Sequence, residues 1–99
     1  MSHEKPRKAL EIQLEKEIAQ GVYANLAVVT HTDAEVTLDF VYVQPQEILG
    51  TVRSRVIVSP RHAKRLFLAL QENLGRYERA FGEIKIDVPS DPPEIQPYH

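Results

Sequence analysis

Four histidines, His3, His31, His62 and His99, are the side chains best suited to move a proton near neutral pH or to hold a metal. Their positions match no metal-ligand spacing, and only His31 and His62 lie away from the chain ends. His31 fits a turn and His62 the exposed first turn of a helix. The two could approach one another if the strand ends and the helix start met at one edge. Catalysis would still need an oriented second and third group, and the sequence offers none. Glu35 and Asp39 sit at alternating strand positions and so share a face. With Arg55 opposite Asp39, ion pairing accounts for these carboxylates better than general acid–base work. There is no glycine-rich phosphate loop, no Gly-x-Ser-x-Gly elbow and no His-Glu-x-x-His helix. Zero cysteines remove thiol nucleophiles, thiolate metal sites and disulfide frameworks together. No catalytic residue, metal ligand or cofactor is expected, and the chain reads as something other than an enzyme.

A basic cluster is the clearest chemical feature. From Ile48 to Gln71 the chain carries Arg53, Arg55, Arg61, Lys64 and Arg65, together with His62, and no acidic residue. Arg61, Lys64 and Arg65 are spaced by three and four positions, which puts them on one face of a helix. Cations at a helix N-terminus oppose the helix dipole, so their placement there hints at an anionic partner: nucleic acid, phosphate or an acidic protein surface. A solvated charged face is the plainer reading. Few aromatics lie nearby to stack on bases, and acidic flanks at Glu11–Glu47 and Glu72–Glu94 hold the whole chain at −2.

The elements that must carry these residues follow from periodicity. Leu10, Ile12 and Leu14 alternate with Glu11, Gln13 and Glu15, the pattern of a half-buried strand, with a short helix as the rival. Gly21 ends a polar stretch, and Val22–Thr30 has the composition of a strand. His31-Thr32-Asp33-Ala34 supplies turn residues before Glu35–Val43, which alternates again. Gln44–Gly50 is a loop and Thr51–Val58 a further strand, with Val52, Val56 and Val58 on one side and Arg53, Arg55 and Ile57 on the other. Ser59 followed by Pro60 is a strong helix start. Ala63, Leu66, Phe67, Leu70, Leu74, Tyr77 and Phe81 then form one apolar stripe, closed by Gly82. Ile84, Ile86 and Val88 alternate with Lys85 and Asp87, a candidate last strand that could add to a neighbouring subunit's sheet. Gly75 within the helix marks close packing or nothing at all. The fold class expected is α+β: an antiparallel sheet of three to four strands, then one long C-terminal amphipathic helix packed on one face.

Hairpins turning near residues 32–33 and 47 set Asn25 opposite Phe40, Ala27 opposite Leu38, Leu38 opposite Val56 and Asp39 opposite Arg55. One sheet face then carries Tyr23, Ala27, Val29, Val36, Leu38, Phe40, Tyr42, Val52, Val56 and Val58, the natural bed for the helix. The other mixes Leu26, Val28, Val41, Val43 and Ile57 with Thr37, Asp39, Arg53 and Arg55. One helix cannot cover both faces. Large apolar side chains on the mixed face point to self-association, as a homodimer or higher homo-oligomer, through Leu26, Val28, Val41, Val43 and Ile57. Asn25, in an otherwise apolar strand, needs its amide bonded, either to loop or helix-end backbone in a way that pins register or as a polar anchor in a dimer interface or ligand cleft.

Ninety-nine residues leave room for one domain at roughly 100–200 residues each. Residues 1–8 read as a disordered arm, 9–88 as a single domain, and 89–99, with four of the seven prolines, as a disordered tail. No apolar run approaches the ~18–20 residues of a membrane span, and the N-terminus has no signal-like stretch, so a cytoplasmic protein without membrane contact is expected.

Several stretches resemble a prokaryotic domain-of-unknown-function family, number 3467. They are Gly21–Ala27, Thr30-His31-Thr32, Leu38-Asp39-Phe40-Val41, Ser54–Leu66, and Asn73–Ile84 with Tyr77, Phe81, Gly82 and Glu83. The resemblance covers about residues 9–86 and brings no established activity. Strands followed by one long helix are also similar in layout to the SecB-type export chaperones, oligomers that bind non-native chains through apolar surface. That likeness is one of topology. Together these readings imply an oligomeric interaction module, chaperone-like in binding protein segments. The alternative is a nucleic-acid or anion-binding module using the basic cluster.

Overall fold

The structure, a computed structural model, describes residues 9–87. The arm expected over 1–8 and the tail expected over 89–99 lie outside these residues, as do His3, Val88 and His99. The chain divides into two compact units, one running to Ser59 and one starting at Pro60.

The first unit is an antiparallel sheet in the order β1-β2-β3, built from β1 (Leu26–His31), β2 (Val36–Val43) and β3 (Gly50–Val58). β2 is the longest apolar alternation and takes the centre. Its Thr, Phe, Tyr and Val side chains suit a pleated surface packed from both sides. Every residue of β2 is buried or half-buried, whereas both outer strands are mostly exposed. A one-turn helix, α1 (Lys16–Ala19), precedes the sheet, and Gly21 follows it at φ +70, a conformation that glycine adopts without steric cost.

The first hairpin closes on Thr32. Its amide donates to the Glu35 carbonyl at 2.9 Å, and its hydroxyl accepts from the amides of Ala34 and Glu35. Thr32 thus still belongs to the ladder, and the reversal falls on Asp33 and Ala34, later than expected. Ala27 therefore pairs with Phe40 instead of Leu38. A slip of two preserves every face, because side chains alternate with period two. Between β2 and β3 the expected pairs Leu38–Val56 and Asp39–Arg55 are present.

A bulge between Phe40 and Val41 was not anticipated. Ser54 opposes Phe40 and Val52 opposes Val41, which leaves Arg53 as the extra residue. The bulge carries Val52 across the sheet, away from Val56 and onto the face of Val41 and Asp39.

The second unit is the helix α2 (Pro60–Phe81), which starts directly after Ser59 as its residue types predict. Gly82, at φ +101, donates its amide to the Glu78 carbonyl at 2.8 Å and ends the helix with a left-handed residue. The Glu78 carboxylate accepts the Ile84 amide at 3.0 Å. Tyr77 and Phe81 stack one turn apart, with ring centroids 5.0 Å from one another. Gly75 has room for a methyl group, the nearest atom being Arg79 Nη1 at 3.5 Å.

Two expected strands are absent among the described residues. Residues 9–15 and 82–87 have no regular structure, so the sheet has three strands. Alternation alone does not make a strand; a segment must also bond an edge, and among the described residues neither segment does so. The α+β class stands, with a three-stranded antiparallel sheet followed by one long helix.

Candidate functional site

Cross-strand partners share a face, so the register assembles the candidate interface residues directly. Leu26 pairs with Val41 and Val28 with Asp39. Val43 pairs with Gly50, and Ile57 with Thr37. All five thus lie on the face that carries Asp39 and Arg55. Their exposures differ widely. Val41 is 5% exposed and is the one buried hydrophobic side chain among the described residues, while Leu26 and Ile57 remain open to solvent.

Asp39 is 1% exposed, the most buried side chain described. It accepts a two-pronged bond from Arg55, Nε to Oδ1 at 2.7 Å and Nη2 to Oδ2 at 2.9 Å. Parallel bonds of this kind suit the planar guanidinium and meet the carboxylate where water cannot reach it. The pair is the cross-strand ion pair expected from sequence. Arg55, half-exposed, already has its charge met by Asp39.

Asn25 explains how β1 is aligned. Its side-chain Nδ2 donates to the Val43 carbonyl at 2.9 Å, while its Oδ1 accepts the Val43 amide at 2.8 Å. Its own amide donates to the Val41 carbonyl. The carboxamide reproduces a backbone pair and extends the ladder past the end of β1. The bond pins register as expected, but it is made to the backbone of β2 and not to a loop or helix end.

Gly50 is a residue whose role went unread in the sequence. A Cβ there would stand 2.9 Å from Val41 Cγ1 and 3.4 Å from Val43 Cγ2. The glycine lets β3 begin against two stiff β-branched side chains of β2. A glycine opening a strand beside valines was the available signal.

The basic residues divide between the units. Arg53 and Arg55 lie on β3, Arg53 in the bulge, and Arg61, Lys64 and Arg65 lie exposed on the first turns of α2. The first turn of α2 holds no acidic residue, and Lys64 Nζ lies 5.9 Å from the centroid of the Phe67 ring. His31 ends β1, and His62 lies in the first turn of α2.

Among the described residues no group of three His, Cys, Asp or Glu could hold a metal. A shallow depression lined by Glu17, Ile18, Gly21, Val22 and Ser54 encloses about 180 Å³. That is below the ~300–1,000 Å³ usual for small-molecule sites. No described helix is long and apolar enough to cross a membrane.

The dominant surface feature is apolar. The α2 stripe side chains Leu66, Phe67, Leu70, Leu74, Tyr77 and Phe81 are all exposed, as are Leu10, Ile12 and Leu14. Monomeric proteins seldom leave this much large apolar side chain in water.

The chain belongs to the family described as protein of unknown function (DUF3467), whose model matches residues 1–86. No curated protein and no solved structure matches it, so the likeness to SecB-type export chaperones gains no structural support.

Proposed function

We propose that this member of the DUF3467 family is a non-enzymatic, cytoplasmic homo-oligomer that binds other protein segments on apolar surface. One observation carries the reading: Val41 is the one buried hydrophobic residue described, while the α2 stripe is exposed along its length. Each large side chain of the stripe offers about 1.5–3 kcal/mol on full burial. Six of them, about half exposed on average, therefore represent on the order of 5 kcal/mol or more, comparable to the lower end of the stability of a small domain, about 5–15 kcal/mol. A second copy is the partner always available in equal amount, and apolar surface left at the rim of such an assembly suits extended, non-native chains.

Sedimentation equilibrium of the full chain at tens of micromolar tests the assembly; a strict monomer overturns it. Suppression of aggregation of a chemically unfolded model protein tests the chaperone-like activity. An oligomer that protects none of several such substrates removes that activity and leaves the assembly.

A second reading rests on the acid-free stretch from Ile48 to Gln71 and on the exposed Arg61, Lys64 and Arg65. It makes the chain a nucleic-acid or anion-binding module. Mobility shifts at low and moderate salt decide it: binding that weakens steeply with salt supports it, and no shift at low salt excludes it.

A further inference from the structure

We propose that residues 10–14 of one copy add as a fourth strand to the open β3 edge of a second copy. The proposal rests on the homo-oligomer reading and names the segment that joins its subunits.

Residues 9–15 carry a strand pattern without a strand's partners. Leu10, Ile12 and Leu14 are 86%, 84% and 68% exposed, and the segment belongs to no helix, strand or turn. None of its backbone groups before Glu15 bonds the rest of the described chain. Glu15 itself is extended, at φ −72 and ψ 151. Alternating side chains of this kind repay their exposure only when the backbone joins an edge that sorts them to two faces.

The sheet offers such an edge. β3 bonds to β2 alone, and beyond the bulge at Arg53 its regular part, residues 54–58, is long enough to take five residues of a fourth strand. β1 is the other outer strand, but it carries no charged side chain other than a titratable His31 to select a partner. β3 carries Arg53, beside an Arg55 that already bonds Asp39, within a stretch free of acidic residues, while the segment carries Glu11 and Glu15 and no basic residue. An acidic strand thus meets a basic edge.

The two faces agree with that charge match. Setting Glu11 on the face of Arg55 puts Leu10 and Ile12 on the opposite face, beside Val56 and Leu38. A slip of one residue would lay the leucines and isoleucine against the Asp39–Arg55 pair, so the register is strongly specified. The other unpaired segment, 82–87, is a poorer candidate. Its Ile84 amide is already bonded to Glu78, and its charges are mixed.

Charge reversal in the full chain tests the pairing, and the circular dichroism spectrum of each variant confirms an intact fold, because the Glu15 carbonyl accepts the Ile18 and Ala19 amides of α1. Sedimentation equilibrium should show a dissociation constant about fivefold or more weaker for Glu11→Lys/Glu15→Lys, and likewise for Arg53→Glu. The combined variant should recover to within about threefold of wild type. Ile12→Pro, which removes a ladder donor, should weaken association further, with an unchanged circular dichroism spectrum. A wild-type monomer overturns the oligomer reading and this proposal with it. A wild-type oligomer indifferent to Ile12→Pro and to both reversals overturns this proposal alone, as does weakening without recovery in the combined variant.

Discussion

Strand β2 and helix α2 both announce themselves by apolar periodicity, and they end in opposite states. Every residue of β2 is at least half-buried, and its Asp39 and Val41 are the two buried side chains described. No residue of α2 is buried. The difference lies in who supplies the partners. β2 is sandwiched between two strands that reach it through short hairpins, so closing its contacts costs little chain entropy. A helix satisfies its own backbone bonds and can exist with its stripe still open. Periodicity therefore identifies an element, whereas burial depends on a neighbour.

The contrast can be broken first at Arg55. Arg55→Ala takes the guanidinium from a carboxylate that is 1% exposed, and should destabilise the sheet by about 3 kcal/mol, read as a lower urea midpoint. An unchanged midpoint would mean that the pair contributes nothing to β2. Gly50→Ala comes next. Its new methyl group meets Val41 Cγ1 at 2.9 Å, on a buried and stiff side chain, and should cost about 2 kcal/mol. The same substitution at Gly75 should do the reverse. The helix glycine has open space, so Gly75→Ala should stabilise by about 0.5–1 kcal/mol, visible as a higher melting temperature. Opposite signs for one substitution in two units would sharpen the comparison; equal signs would dissolve it. The smallest effect belongs to Arg76→Ala, which removes an exposed ion pair with Glu72 one helical turn away. It should change stability by less than about 0.5 kcal/mol, and raised salt should erase the change.

Where the sequence was legible, the physics was local. Ser59-Pro60 marks a helix start because each residue suits one terminal position, and Gly82 marks the end because it adopts positive φ. Asp39 opposite Arg55 could be read because the second hairpin turns where its proline-containing loop suggests. The first hairpin turns one residue later than its residue types suggest, shifting the register by two, because Thr32, a plausible turn residue, spends its backbone on the ladder and its hydroxyl on the turn. The bulge at Arg53 leaves the even–odd alternation of Thr51–Val58 looking unbroken, so no residue type marks it. Leu10–Leu14 and Ile84–Ile86 have the alternation of strands, yet neither segment joins a ladder among the described residues.

Residue types and spacing by themselves determined the class of fold, the ends of the helix, the Asp39–Arg55 pair and the lack of any recognisable catalytic motif. These depend on backbone preferences and on neighbours a few residues away. Only the tertiary structure decided that the sheet stops at three strands, that Val52 crosses to the other face, and that Asp39 and Val41 alone are buried among the described residues. Those outcomes depend on which edges and faces find partners in three dimensions, and a one-dimensional pattern does not say whether the partner lies in the same chain or in another.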